Sequence, residues 1–270
     1  MGHSVGNPMK IAVGIEYCGA AYAGWQRQKH THSVQEYIQS ALSNVADHEV
    51  RVHCAGRTDA GVHALQQVVH FETGVERNMR SWVLGGNVHL PADISLLWAQ
   101  IVDDDFHARF SASSRIYSYI ILNRTVRPGL MHRRVTWECR ELDDKLMQQA
   151  STCFIGEHDF TSYRSVQCQA NTPMRNVKRL DIHRTGEVIV MEIEANAFLH
   201  HMVRNIAGVL MAIGMGKAPP EWSRQVLDAR NRTRGGVTAP ADGLYLMGAV
   251  YPQKFGIPDC ADKHWPFLLR

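Results

Sequence analysis

The chain has 270 residues, of which 45% are hydrophobic and 20% are charged, a composition typical of a globular protein with one large domain or two medium ones. The formal net charge is only +3, and the absence of any apolar run of about 18 residues excludes a helical membrane span. Residues 1–8 lack the apolar core of a signal peptide and are expected to form a short flexible tail.

The cysteines and histidines argue against a metal or disulfide framework. None of the six cysteines belongs to a C-x-x-C pair, and the 15 histidines lack the i,i+4 spacing of helical metal ligands. We therefore expect reduced thiols, a cytoplasmic location and no metal ion.

Strands and helices alternate in the first part of the chain. Alternating apolar residues predict a strand over 10–17, followed by a loop over 18–28. Ser33 and Glu36 have the spacing of a capping box at the start of a helix. A weaker helix over 81–88 and a strand over 94–102 follow. Tyr22, Trp25 and Arg27 in the loop either stack on nucleobases or cover the core, and the pattern leaves both open.

The stretch 54–65 lies between predicted strands over 50–54 and 67–71 and carries the best candidate for chemistry. Gly56 and Gly61 flank Arg57, Thr58 and Asp59, and glycine permits a loop to approach a ligand closely. An aspartate has a reference pKa of about 3.9, so it is ionised at neutral pH without a base to activate it. The alternative is a simple turn in which Asp59 bonds its own backbone.

A change of charge sign follows Asp103, Asp104 and Asp105. Residues 1–105 hold 7 Lys and Arg against 11 Asp and Glu, whereas residues 106–270 hold 22 against 15, with arginine in excess over lysine. We predict two halves, 1–105 and 106–270. The guanidinium group of arginine can donate two hydrogen bonds to one phosphate, so the basic half favours a polyanionic partner. An ordinary solvated surface is the alternative, because it has the same composition.

The second half continues the mixed pattern. We predict a strand over 115–122, a helix over 143–155 and a hairpin of strands 177–184 and 187–194. A helix over 201–215 with Arg204 near its start, a helix from Pro220 to Leu227 and a strand over 244–250 complete the chain. Strands interspersed with helices, and a hairpin among them, predict an α+β fold with largely antiparallel sheets.

Common catalytic motifs such as G-x-S-x-G, H-E-x-x-H and the Walker loop are absent. The stretch Ala55–His63 instead resembles the signature of the pseudouridine synthases. Further segments resemble that family in the same order along residues 10 to 252: 22–28, 106–111, 115–119, 156–160, 198–205 and 239–246. The residues after Pro252 carry no motif of the family.

The resemblance implies a fold of two α/β halves whose mostly antiparallel sheets join across a central basic cleft. It implies an isomerase that converts uridine to pseudouridine at positions 38, 39 and 40 of the tRNA anticodon stem-loop. No cofactor or metal takes part, the enzyme is a homodimer, and the second half supplies positive charge for RNA.

The resemblance also implies roles for individual residues. Asp59 is the catalytic carboxylate, which either attacks the nucleoside or removes a ribose proton, and the sequence leaves both routes open. Tyr117 stacks on the uracil and conducts the C5 proton away, and Arg204 pairs with Asp59. The substrate-binding residues are Tyr117, Arg57, Leu244 and Arg27.

Two other classes of function compete with this interpretation. A non-catalytic RNA-binding or tRNA-folding protein would use the same basic cleft, but it would have no need of Asp59, Tyr117 and Arg204. A carboxylate glycosidase would require a second acid, for which Glu16 or Glu72 could be proposed, although nothing in the sequence pairs either with Asp59.

Overall fold

The computed structural model describes residues 8–259, so most of the predicted N-terminal tail lies outside the described residues. The chain divides into two compact units. Unit 1 contains residues up to Ser113 and those from Leu246 onward, and unit 2 contains Ser114–Tyr245. No helix in the described range combines the length and hydropathy that a membrane crossing requires.

The strands of the described chain are β1 (Met9–Tyr17), β2 (His53–Cys54), β3 (His63–Thr73), β4 (Ile94–Val102), β5 (Ser114–Asn123), β6 (Thr136–Glu138), β7 (Gly156–Asp159), β8 (Met174–Thr185), β9 (Val188–Ala195) and β10 (Leu244–Val250). The helices are α1 (Val34–Ala46), α2 (Met79–Val88), α3 (Asp144–Ser151), α4 (Met202–Gly214) and α5 (Trp222–Ala229). This mixture confirms the predicted α+β class.

The sheet of unit 1 has the order β4, β1, β3, β10, with β2 beside β3. β1 is antiparallel to both β3 and β4. Its alternating residues Ile11, Val13 and Ile15 are fully buried, as predicted, but Ala12 and Gly14 between them are buried too, so this part of the strand is covered on both faces. The α2 side chain Trp82 is also fully buried and packs edge-on against Phe71 of β3, with ring centroids 5.2 Å apart.

The capping box predicted at the start of α1 is wrong. Ser33 does precede the helix, but its side chain makes no capping hydrogen bond. The first helical N–H groups are satisfied by the preceding loop instead: Val34 N donates to Gly24 O (3.2 Å) and Gln35 N donates to Trp25 O (3.0 Å). The helix therefore needs no side-chain cap, and its start fixes the loop 18–28.

The sheet of unit 2 has the order β5, β9, β8, β7, with the short β6 parallel to β5. The predicted hairpin is confirmed: β8 and β9 pair antiparallel, and Gly186 in the turn has a φ of +58°. α4 spans the predicted range and buries most of its residues. α5 begins at Trp222, two residues after Pro220, with Glu221 in the N-cap position.

Candidate functional site

The backbone of the loop 55–62, between β2 and β3, is held at its start by β3. Ala55 N donates to Val68 O at 2.8 Å. The buried Gln67 side chain bonds Gly56 twice, because its Nε2 donates to Gly56 O (2.6 Å) and its Oε1 accepts from Gly56 N (3.4 Å). The entry to the loop is therefore fixed by an amide that β3 supplies.

The middle of the loop is held by the neighbouring loop 18–28. Trp25 N donates to Thr58 O at 3.0 Å, and the buried Thr58 hydroxyl shares a hydrogen bond of 2.8 Å with the hydroxyl of Tyr17. Gly24 has a φ of +96° and lies so close that a Cβ there would stand 2.8 Å from Thr58 O. The two loops therefore form one rigid surface.

The predicted site residues of unit 1 lie on these two loops. Asp59 is half-buried, and its carbonyl accepts from Val62 N at 3.2 Å, which closes a turn around Ala60 and Gly61. Arg57 and Arg27 are exposed on the loops 55–62 and 18–28. The structure thus presents one carboxylate and two guanidinium groups on a fixed backbone in unit 1.

The open question about Tyr22 and Trp25 is settled in favour of the core. Trp25 is 1% exposed, and its ring centroid lies 6.0 Å from that of Tyr17. Tyr22 is also buried and donates from its hydroxyl to Asp93 at 2.5 Å. Burial and the bond to Asp93 raise the pKa of Tyr22 well above its ordinary value. Arg27 alone of the three reaches solvent.

Tyr117 lies on β5 in unit 2, opposite Ile193 of β9. It is 7% exposed, and its ring packs edge-on against Phe198 with centroids 5.0 Å apart. Tyr119, two residues further along, has a different environment, because its hydroxyl donates to Pro240 O (2.9 Å) and bonds Thr136 (2.6 Å). Burial raises the pKa of Tyr119, which is a structural residue.

Arg204 is half-buried in the first turn of α4. Its Nε donates to Ala239 O at 2.9 Å, and Ala239 N donates to Arg204 O at 3.1 Å. This reciprocal pair fixes the guanidinium relative to the segment that leads to β10. Leu244, the first residue of β10, is buried and donates from its N–H to Ala241 O at 2.8 Å.

A polar network that sequence reasoning missed supports Arg204. Asn205 is buried and accepts through Oδ1 from the Thr238 hydroxyl (2.7 Å) and from Arg232 Nη2 (3.1 Å). Its Nδ2 donates to Tyr163 O at 2.7 Å. The partners of Asn205 lie 27 to 42 positions away from it along the chain, so no local spacing could have predicted that they meet.

Three histidines cluster beside β2 in unit 1. The rings of His53 and His70 stack with centroids 5.1 Å apart, and the His107 ring lies 4.6 Å from that of His70. Burial, together with His107 and His53, lowers the pKa of His70 to about 3. Its Nδ1 accepts from Ala108 N at 3.1 Å, so the buried ring is a neutral acceptor at pH 7.

The buried His70 makes the protein sensitive to acid. In the unfolded chain the imidazole binds a proton below a pH of about 6.5, whereas in the folded chain it stays neutral down to its lowered pKa. Stability therefore falls with decreasing pH between these values, by about 1.4 kcal/mol per pH unit from this group. In the variant His70→Asn the amide oxygen can still accept from Ala108 N. Between pH 6 and pH 4 this variant should lose less stability than the wild type, as measured by urea unfolding. Equal losses in the two proteins would contradict this assignment.

Cys54, which precedes the loop, is not poised as a nucleophile. Burial raises the pKa of its thiol to about 11, although Arg57 and Arg109 act in the opposite direction. His63 after the loop is also structural, because it is buried and its Nδ1 accepts from Gly19 N at 3.0 Å. Among these loop neighbours, Asp59 remains the group suited to nucleophilic or base chemistry.

Comparison with known proteins assigns this arrangement to a family. A family model described as tRNA pseudouridine synthase matches residues 14–111 and 150–252. Proteins called tRNA pseudouridine synthase A are similar over most of their length. That of Nitrosococcus oceani is 55% identical over 250 residues, covering 93% of this chain and 96% of its own. That of Legionella pneumophila (strain Corby) is 53% identical over 249 residues, covering 92% and 95%. That of Methylococcus capsulatus is 52% identical over 263 residues, covering 97% of each chain.

The matched residues include both candidate loops of unit 1, as well as Arg204 and Leu244 of unit 2. The relatives' similarity extends over more than nine-tenths of each chain, so it also spans parts of unit 2 that lie between the two matched ranges. On this evidence the chain belongs to the tRNA pseudouridine synthase family and has its α+β fold.

Proposed function

We propose that this member of the family isomerises uridine to pseudouridine at positions 38, 39 and 40 in the anticodon stem-loop of tRNA. The observation that carries the proposal is the half-buried carboxylate of Asp59 on a loop whose backbone is bonded at Ala55, Gly56 and Thr58. Fixed backbone on both sides of a reactive group lowers the cost of orienting it toward substrate.

The reaction is an isomerisation and consumes no second substrate. Asp59 either attacks the nucleoside or removes a ribose proton, and the C–N glycosidic bond breaks. The uracil then rotates and its C5 bonds to C1′, which breaks the bond between Asp59 and the nucleoside on the first route and is accompanied by return of the ribose proton on the second. The proton on C5 leaves and N1 gains a proton, so the product is an isomer of the substrate. In this proposal the chain's own side chains perform every step, without a cofactor or metal. Because the target base lies in a stem or loop, the nucleotide must first be flipped out, which costs a few kcal/mol.

Tyr117 is proposed to stack on the flipped uracil and to accept the proton from C5. The edge-on contact with Phe198 fixes the plane of the tyrosine ring, as a stacking surface requires. Arg204 is proposed to supply the positive charge that orients the Asp59 carboxylate, and its bond to Ala239 O restricts its rotamers. Leu244 is proposed to give the base an apolar contact.

Replacing Tyr117 by phenylalanine should retain RNA binding but slow proton removal by about 100-fold or more. The rate of the variant should then become sensitive to deuterium at C5 of the target uridine, measured with deuterated and ordinary transcripts. Tyr119→Phe is the matched control, because it removes a hydroxyl of the same strand that bonds Thr136 and Pro240 in the core. An unchanged rate and isotope effect in Tyr117→Phe would count against a role for its hydroxyl.

Arg57 and Arg27 are proposed to hold the RNA on the unit 1 side. Both are exposed and lie on the two bonded loops, so their guanidinium groups can reach phosphates or the space that the flipped base leaves.

We also propose that the enzyme is a cytoplasmic homodimer. Size-exclusion chromatography with light scattering should give twice the mass of the chain, and a mass equal to one chain would refute the dimer.

A direct test uses three tRNA transcripts, each with a single uridine at position 38, 39 or 40. The purified protein is incubated with each transcript in EDTA and without cofactor, and pseudouridine is mapped by carbodiimide-dependent stops in primer extension. Product at these positions supports the proposal. Tight binding of the transcripts without product at any position would support the non-catalytic alternative and refute the proposed activity.

A further inference from the structure

The segment 106–111 in unit 1 contains two phenylalanines with opposite environments. Phe106 is 0% exposed and packs against Tyr251 and Phe255, with ring centroids 5.3 and 5.1 Å away. Phe110, four residues later, is 75% exposed. Phe110 therefore presents a large apolar ring to solvent, whereas Phe106 of the same segment is packed in the core.

Phe110 is exposed because it lies in a turn whose backbone is fixed by hydrogen bonds. Ala108 is bonded from both sides, because its N donates to His70 Nδ1 (3.1 Å) and its carbonyl accepts from the Tyr251 hydroxyl (2.6 Å). Ser111 closes the turn: its N donates to His107 O, and its hydroxyl accepts from His107 N, each at 2.9 Å. The backbone beneath Phe110 therefore has few ways to withdraw the ring from solvent.

The neighbours of Phe110 are flat or cationic groups. The Arg109 guanidinium lies 5.5 Å from the centre of the Phe110 ring, and the His107 ring lies 4.4 Å away with an interplanar angle of 34°. His53 adjoins His107 at 5.4 Å. We name these four residues, His53, His107, Arg109 and Phe110, the Phe110 platform.

The platform adjoins the proposed catalytic loop within the same unit. His53 and Cys54 form β2, which leads directly into the loop 55–62. Arg57 of that loop and Arg109 of the platform both lie close enough to the Cys54 thiol to act on its charge. The Phe110 platform is therefore joined through β2 to the loop that carries Asp59, six positions after His53.

We propose that the Phe110 platform binds an unstacked base of the RNA substrate next to the flipped uridine, an inference that rests on the proposed function. Flipping one nucleotide leaves its neighbours without a stacking partner, and an exposed aromatic ring replaces that partner for any base sequence. Arg109 adds a contact to the base or to its phosphate.

The composition of the surface favours RNA over a second copy of the chain. Residues 106–113 contain no acidic side chain, and Arg109 gives the platform a positive charge. Phe110 is the only large hydrophobic residue of the described chain that is exposed between Ile101 and Val126. One ring presents far less apolar area than the roughly 800 Å² per partner of a stable interface.

The test measures RNA binding in an Asp59→Ala background, so that turnover does not affect it. Phe110→Ala should weaken binding of an unmodified tRNA transcript by about 5- to 100-fold, whereas Phe110→Trp should retain it. Leu130→Ala is the matched control, because Leu130 is a 99% exposed apolar residue of unit 2, outside the proposed machinery. It should bind like the parent protein.

Salt dependence separates stacking from charge. Phe110→Ala should weaken binding at every salt concentration without a change in slope, and Arg109→Gln should reduce the slope of log K against log salt by about 0.7. A transcript with 2-aminopurine beside the target uridine should lose fluorescence on binding the parent protein but not Phe110→Ala.

Two outcomes would overturn the inference. Unchanged binding and unchanged quenching in Phe110→Ala would exclude a stacking role. A shift of Phe110→Ala to a lower oligomeric state in light scattering would assign the ring to an interface between copies of the chain. Failure of the proposed function is a separate result, because it would appear as absence of pseudouridine with the wild-type protein, whatever the binding measurements give.

Discussion

Replacing Asp59 by asparagine should lower the rate of pseudouridine formation by about 10⁴-fold or more while tRNA binding is retained. The amide has nearly the same shape as the carboxylate, so the half-buried position and the backbone turn to Val62 should persist. What is lost is the negative charge and the lone pair that attacks the nucleoside or removes its proton. Single-turnover rates with excess enzyme, measured as tritium release from C5 of uridine, isolate the chemical step.

Asp47→Asn is the matched control for Asp59→Asn. Asp47 is an exposed aspartate of the same unit with a φ of +57°, a conformation that asparagine tolerates. It should be as active as the wild type. Equal turnover by Asp59→Asn and Asp47→Asn would refute the assignment of Asp59, and loss of binding in Asp59→Asn would reveal a role in holding RNA instead.

Replacing Gly24 by alanine should destabilise unit 1 by about 2 to 4 kcal/mol and displace the loop that carries Asp59. The residue has a φ of +96°, and a Cβ there would lie 2.8 Å from Thr58 O and 3.0 Å from the carbonyl carbon of Asp59. Both contacts are backbone atoms, so the strain is relieved only by moving the loop 55–62. A misplacement of about 1 Å costs on the order of 100-fold in rate.

The variant Gly216→Ala separates the backbone strain of a positive φ from the collision of the new Cβ with the loop 55–62. Gly216 also has a positive φ, +71°, but a Cβ there would meet no atom within 4 Å. It should therefore lose only the conformational part of the stability and retain full activity. Urea midpoints and single-turnover rates of both variants provide the comparison. If Gly24→Ala and Gly216→Ala lose the same stability and neither loses activity, the loop is not held as described.

The local periodicity of apolar residues predicted most of the helices and strands. The period-two apolar residues of β1 and the apolar face of α4 are properties of consecutive residues, so the sequence contains them directly. The start of α1 was predicted at the right residue for the wrong reason, because the carbonyls that replace the cap belong to Gly24 and Trp25. β2 is shorter than the predicted strand over 50–54, since only His53 and Cys54 pair with β3.

The contacts that rigidify the candidate site join residues far apart in the chain. The bond from Trp25 to Thr58 spans 33 positions, and no period or motif in the sequence encodes it. The opposite environments of Phe106 and Phe110 could not be predicted either, because both are phenylalanines of the same short segment, 106–111. Sequence supplies the chemical identity of the side chains, whereas their fixation depends on packing between distant segments.

The return of the chain to unit 1 at Leu246 has a consequence for synthesis on the ribosome. Unit 2 is continuous, so it can fold as soon as Tyr245 has left the exit tunnel. The first part of unit 1 is made before unit 2, but it lacks β10 and the Phe255 ring that packs on Phe106 until residues 244–255 have been made. A nascent chain should therefore expose the edge of β3 that pairs with β10 while all of unit 2 is being synthesised. A truncation before Leu246 should leave unit 1, rather than unit 2, open to proteases.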